Sequence, residues 1–164
     1  KSTSAIHFLI VIVIGKGVGK MAVLLTNKIE LSGLGYNFSI DLHMPIVALM
    51  GNSGIGKTVM WKIIARKKEK LSLGVPTVVT NYSQSENDIT VLLKGTHKSL
   101  FVIDNADIRI TKPSTVDLLY SCDNQIILLG RNIPFYRLGP SSCGMMYNDN
   151  GTIRVKYQRS RNGV

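Results

Sequence analysis

The sequence predicts an α/β fold: a three-layer α/β/α sandwich with a mainly parallel sheet, preceded by an N-terminal β-hairpin. Three observations predict it. Residues 46–50, 100–103 and 125–129 are short, almost wholly apolar runs, as in strands buried on both faces. Segments with apolar residues at helical spacing lie between them and imply crossover connections. Earlier in the chain, Ile29 and Leu31, then Phe38, Ile40 and Leu42, alternate with polar residues, the period of half-buried paired strands.

Taken in order, residues 1–20 stand apart. Residues 6–14 read IHFLIVIVI and are followed by a Gly-Lys segment. The run is shorter than the roughly 20 residues a membrane span needs, and no small-x-small cleavage site follows it. Gly15 to Lys20 imitates a phosphate loop, but Ile14 and Met21 stand where its first Gly and its Ser/Thr belong. The expectation is an atypical, added or processed extension; the alternative is an extra element covering a sheet edge. Residues 21–164 are expected to form a single domain, with a β-hairpin over 21–44 and a nucleotide-binding core over 45–158. Ser32-Gly33-Leu34-Gly35 reads as the hairpin turn.

Residues 45–70 are the centre of the reading. A β-branched apolar strand, 46–50, runs into GNSGIGKT, Gly51 to Thr58, a full match to G-x-x-x-x-G-K-[ST]. A helical pattern follows, with Val59, Met60, Ile63 and Ile64 on one face. Strand, glycine loop and helix in this order form a phosphate site. Gly51, Gly54 and Gly56 let the backbone turn its N–H groups inward, with Asn52, Ser53 and Ile55 between them. The helix start adds its positive end. The Lys57 ammonium is expected to reach the β- and γ-phosphates, and the Thr58 hydroxyl to bind Mg²⁺.

Gly74-Val75-Pro76 marks a stop and restart before a short strand at 77–80. A helix is expected from Ser83 to Lys94, ended by Gly95. Strand 100–103 ends at Asp104, and Asp107 follows. Pro113 opens a helix running to Cys122. Strand 125–129 delivers Gly130-Arg131-Asn132. Residues 134–150 carry loop punctuation, and 152–157 alternate as a terminal strand. In a parallel sheet, Gly51, Asp104 and Arg131 all emerge at the carboxyl edge, where ligands bind.

LFVID, Leu100 to Asp104, resembles the second nucleotide motif (Walker B) of the P-loop NTPases, as GNSGIGKT resembles their first (Walker A). The strand near Val78 and the strand end at Arg131-Asn132 resemble the AAA-like and STAND-like ASCE branch of that superfamily. The resemblance covers roughly residues 46–132. It implies Mg²⁺-dependent binding and hydrolysis of ATP, with Asp104 orienting the metal through water and Arg131 and Asn132 as sensors of the γ-phosphate. The sequence departs from the pattern at Asn105, where many such ATPases carry the Glu that activates water. Asp107 is the candidate substitute and Glu86 a weaker one. Arg109 and Arg137 are candidate fingers acting across an assembly. The hairpin is similar to that of ABC-type ATPases, but no LSGGQ-like signature follows.

Composition bounds the rest. Apolar content of 45% and charged content of 18% over 164 residues describe a globular chain, not a disordered one. Cys122 and Cys143 form neither a disulfide scaffold nor, with His7, His43 and His97, a metal-ligand pattern; the expectation is a cytoplasmic protein with reduced thiols. A net charge of +10 suits an adenine nucleotide and further anionic partners, nucleic acid or an acidic protein surface, or serves solubility alone. Lys62, Arg66, Lys67, Lys68 and Lys70, with Arg154, Lys156, Arg159 and Arg161, carry much of it. An oligomer or protein partner is compatible with all of this. The leading function is a Mg²⁺-dependent ATP-binding protein with slow or partner-stimulated hydrolysis. The alternatives are a small-molecule kinase on a P-loop fold and a nucleic-acid-binding module with a regulatory nucleotide site.

Overall fold

The computed structural model describes residues 21–67, 74–133 and 138–158. Residues 1–20, the basic residues Lys68, Lys70, Arg159 and Arg161, and the candidate finger Arg137 lie outside them.

Two kinds of strand build one sheet. In β1 (Lys28–Gly33), β2 (Tyr36–Asp41), β7 (Cys143–Asp149) and β8 (Thr152–Tyr157), burial alternates along much of the strand. In β3 (Ile46–Met50), β5 (Leu100–Ile103) and β6 (Gln125–Gly130) it is nearly continuous; β4 (Thr77–Val79) is a short edge. Helices α1 (Lys57–Lys67), α2 (Glu86–Gly95), α3 (Ala106–Arg109) and α4 (Pro113–Ser121) connect the second group. A 3₁₀ turn, Pro140–Ser142, leads into β7.

The strand order is β1-β2-β8-β7-β3-β6-β5-β4. β3 pairs in parallel with β6 and β7, and β5 in parallel with β6 and β4. The β1–β2 and β7–β8 pairs are antiparallel, and β2 joins β8 in parallel through Asn37↔Thr152 and Phe38↔Ile153. Leu34 and Gly35, both with positive φ, make the expected hairpin turn.

The expected mainly parallel three-layer sandwich is overturned. The sheet is mixed and curled, and strands outweigh helices among the described residues. The physical reason lies in the alternating strands. Ile29, Leu31, Phe38, Ile40, Met146 and Ile153 point into the core. Lys28, Glu30, Asn37, Met145, Tyr147, Arg154 and Lys156 are exposed on the same strands. Half of this sheet therefore needs cover on one side only, which antiparallel pairing tolerates.

Two apolar clusters flank the continuous strands. On one side Met60, Ile63 and Ile64 of α1 pack with Val47, Leu49, Val102, Ile127 and the inner face of the hairpin. On the other, Ile89 and Leu93 of α2 and Leu119 of α4 pack with Ala48, Phe101, Ile103 and Leu128. Each fully buried Val, Leu, Ile, Phe or Met side chain here contributes about 1.5–3 kcal/mol. Ser85 caps α2 in a reciprocal capping box with Asp88.

Gln125, fully buried at the start of β6, binds the entering chain. Its Oε1 accepts from Leu25 and Thr26 N–H at 2.9 and 2.8 Å, and its Nε2 donates to Thr26 O at 2.8 Å. Residues 22–26, read as part of a β pattern, are thus held without forming a strand. Residues 143–149, expected as loop, form β7. Cys122 and Cys143 are free thiols. No helix of the described residues is long and apolar enough to cross a membrane.

Candidate functional site

β3, β4, β5 and β6 are parallel neighbours, so their carboxyl ends share one edge. The segments leaving that edge carry most of the predicted residues. β3 is followed by Gly51 and the glycine loop, β4 by Thr80, Asn81 and Tyr82, β5 by Asp104 and Asn105, and β6 by Arg131 and Asn132.

The loop turns through two glycines with positive φ, Gly54 at +86° and Gly56 at +107°. Its closure is internal. Lys57 Nζ donates back to Gly51 O at 2.5 Å and to Asn52 O at 3.0 Å. The first turn of α1, which contains no acidic residue, leaves its leading N–H groups without intrahelical acceptors, the polarity an anion needs. Burial lowers the Lys57 pKa, Arg131 adds to the effect, and Asp104 and Asp107 oppose it.

An open cleft of about 200 Å³ lies at this edge. Of the predicted residues, Ser53, Gly54, Gly56, Lys57, Thr58, Asp104 and Arg131 line it; Gly51, Asn52, Ile55, Asp107 and Asn132 do not. Tyr36 also lines it, a residue the sequence reading missed. Its ring packs against the Gly56 backbone and its hydroxyl donates to Gly54 O at 3.4 Å. The available signal was register: Tyr36 extends the Phe38–Ile40 alternation back to the start of the strand.

Asp104 is 2% exposed, and both of its oxygens are engaged. Oδ1 accepts from Asn105 N–H at 3.0 Å and Oδ2 from the Tyr82 hydroxyl at 2.7 Å. Tyr82 was the second residue missed; its signal was an aromatic just beyond a strand end at the binding edge. Asn105 lines the cleft in the left-handed conformation, φ +53° and ψ +40°. Asn tolerates this region better than most residues, and it lets the chain turn directly from β5 into α3.

Asp107 accepts from the backbone N–H of Arg131 at 2.9 Å and of Asn132 at 3.5 Å. A Cβ on Gly130 would meet its carboxyl group at 3.0 Å, so the glycine makes room for it. The carboxylate fixes the exit of β6. Glu86, the weaker base candidate, is committed elsewhere. Its oxygens accept from Thr111 N–H, the Thr111 hydroxyl and Lys112 N–H at 2.8–3.0 Å. Burial pushes its pKa up, but these donors, Lys112 N–H foremost, outweigh it and hold the carboxyl below its ordinary value.

Arg109, expected as a finger across an assembly, works within its own chain. Its guanidinium donates to the Thr80 hydroxyl at 2.9 Å and to the carbonyls of Asn81, Gln84 and Asp104 at 2.8, 3.0 and 3.3 Å. It staples the turn after β4 to the end of β5.

Among the described residues no cluster of three His, Cys, Asp or Glu side chains could hold a metal ion. One hydroxyl and one carboxylate, Thr58 and Asp104, could serve only a hard cation that keeps several waters and takes its other ligands from elsewhere. The cleft thus brings a helix start, an ammonium and a guanidinium beside a hydroxyl and a carboxylate. No protein-family model matches the chain, and no curated protein matches it.

Proposed function

We propose that the chain is a Mg²⁺-dependent ATP-binding protein with slow or partner-stimulated hydrolysis, related to the P-loop NTPases. One observation carries the reading. Three segments far apart in sequence bring Lys57 and Thr58, Asp104, and Arg131 to the same 200 Å³ cleft, beside a helix start. Chance placement of a glycine-rich turn does not require a buried carboxylate and an arginine on the adjoining strand ends.

In this reading the loop N–H groups and the Lys57 ammonium bind the phosphate oxygens, and Arg131 adds charge at the γ-phosphate end. Bound Mg²⁺ would supply charge neutralisation at the β- and γ-oxygens, held by Thr58 and, through water, by Asp104. Slow turnover follows from Asn105, an amide that cannot take a proton from water, and from the backbone bonds that occupy Asp107. Adenine over guanine rests on the resemblance to the ASCE ATPases; the N-K-x-D base-reading motif of GTPases does not occur in the sequence.

Thermal unfolding with ATP and Mg²⁺ tests the proposal. Wild-type protein should melt higher with ligand, and Lys57→Ala and Thr58→Ala should lose most of that shift. An equal shift in all three proteins refutes the site. Phosphate release without any acceptor supports hydrolysis; ADP formation that depends on an added acceptor supports a kinase instead.

A further inference from the structure

We infer that the Tyr82 hydroxyl is a displaceable latch on the metal side of the cleft, holding Asp104 until Mg²⁺ and nucleotide arrive; the inference rests on the nucleotide-site reading above. The phenol holds one of the two residues assigned to the cation. It donates to Asp104 Oδ2 at 2.7 Å. Asp104 Oδ1 is already taken by Asn105 N–H. A metal-bound water donating to Oδ2 would compete with the phenol there. With 2% exposure, the carboxylate would be poorly solvated if nothing donated to it. The latch solves that problem in the ligand-free protein.

The surroundings let the side chain move without the backbone. Tyr82 is 48% exposed, so its ring has solvent to swing into. The turn that carries it is pinned on both sides. Arg109 holds Asn81 O and Gln84 O, and Gln84 Oε1 accepts from Asn81 N–H. Opening the latch is a rotamer change on a fixed turn, not a loop movement.

A reporter is built in. The Tyr82 ring lies 4.7 Å from Trp61, tilted by 53°, and Trp61 is the only tryptophan of the chain. The indole itself is fixed, its Nε1 donating to Thr80 O at 2.9 Å. Departure of the phenol ring changes the environment of a stationary fluorophore.

The test titrates Mg²⁺ at saturating ADP, reading Trp61 emission and, separately, calorimetric heat. Wild-type protein should bind with a change in emission. Tyr82→Phe removes the hydroxyl and keeps the ring; it should bind Mg²⁺ about tenfold tighter, because no latched fraction has to be opened. Tyr82→Ala should also tighten Mg²⁺ binding, and its emission should no longer respond. Unchanged or weaker Mg²⁺ affinity in both variants, with ADP still bound, overturns the latch and leaves the nucleotide site standing. Failure of ADP with Mg²⁺ to bind the wild-type protein, once the heat of Mg²⁺ chelation by free ADP is subtracted, overturns both.

Discussion

Gly56→Ala is a sharp probe of how the hairpin and the glycine loop depend on each other. Gly56 has φ +107°, outside the regions an L-residue adopts readily, and forcing one there costs about 1–3 kcal/mol. The new methyl would also meet Tyr36 Cδ1 and Cε1 at 3.1 Å and Phe38 Cζ at 3.3 Å, an overpacking worth about 1–3 kcal/mol more. The total, about 2–6 kcal/mol, is a large share of the stability of an ordinary domain. Gly54→Ala is the control. It has φ +86° but nothing within 4 Å of a Cβ, so only the backbone term of about 1–3 kcal/mol applies. Urea unfolding, compared by midpoint at constant slope, measures both. In a Tyr36→Ala background the excess cost of Gly56→Ala over Gly54→Ala should shrink. If Gly56→Ala lies within about 0.5 kcal/mol of wild type, or its excess survives loss of the Tyr36 ring undiminished, the hairpin does not press on the loop and the reasoning fails.

Two further substitutions separate structural from chemical roles. Asp107→Ala should destabilise by about 1–2 kcal/mol, since Arg131 N–H loses its acceptor; Asp107→Asn keeps a carbonyl oxygen there and should recover most of that stability with turnover little changed. A hundredfold slower single turnover in a stable Asp107→Asn protein would instead make the carboxylate the base. Glu86→Gln should cost about 1–2 kcal/mol at neutral pH by weakening the charge-assisted bonds to Thr111 and Lys112. The Glu86 pKa is lowered in the folded state, so its contribution is present above the ordinary value of 4.5 and disappears as pH falls through the folded value. Unfolding midpoints of the two proteins should converge in acid; a constant gap refutes the linkage.

The parts of the site that local pattern could announce were legible. The glycine loop, the buried strand before it and the helix after it sit where GNSGIGKT implies, and the apolar runs ending at Asp104 and Gly130 are parallel strands with their carboxyl ends beside it. What local pattern could not announce is how the rest of the sheet closes. Strand β7 reads CGMMYND, with no β-branched residue and two consecutive turn-formers. It is a strand because it lies between β3 and β8, and tertiary context overrides propensity there. That one insertion couples the parallel strands to two antiparallel hairpins and makes the sheet mixed. The engagements of Asp107, Glu86 and Arg109 were hidden for a similar reason. Each partner lies 24 or more positions away, apart from one Arg109 contact, and a charged residue in a one-dimensional pattern carries no sign of which backbone it will meet.

Within the sheet, the strand ladder from β3 to the N-terminal hairpin runs through β7 and β8. Tyr157 of β8 donates to Asp41 O across 116 positions of sequence. During synthesis, then, the loop, Lys57 and Asp104 are made long before the strands that tie Tyr36 into the sheet. Until β8 leaves the ribosome, the hairpin meets the nascent core through the short link from β2 to β3, through packing on α1 and through side-chain bonds such as Lys67 Nζ to Ser32 O at 2.9 Å. The glycine-loop end of the cleft can assemble early, while its aromatic wall is secured last, by strands that close the sheet across long stretches of sequence.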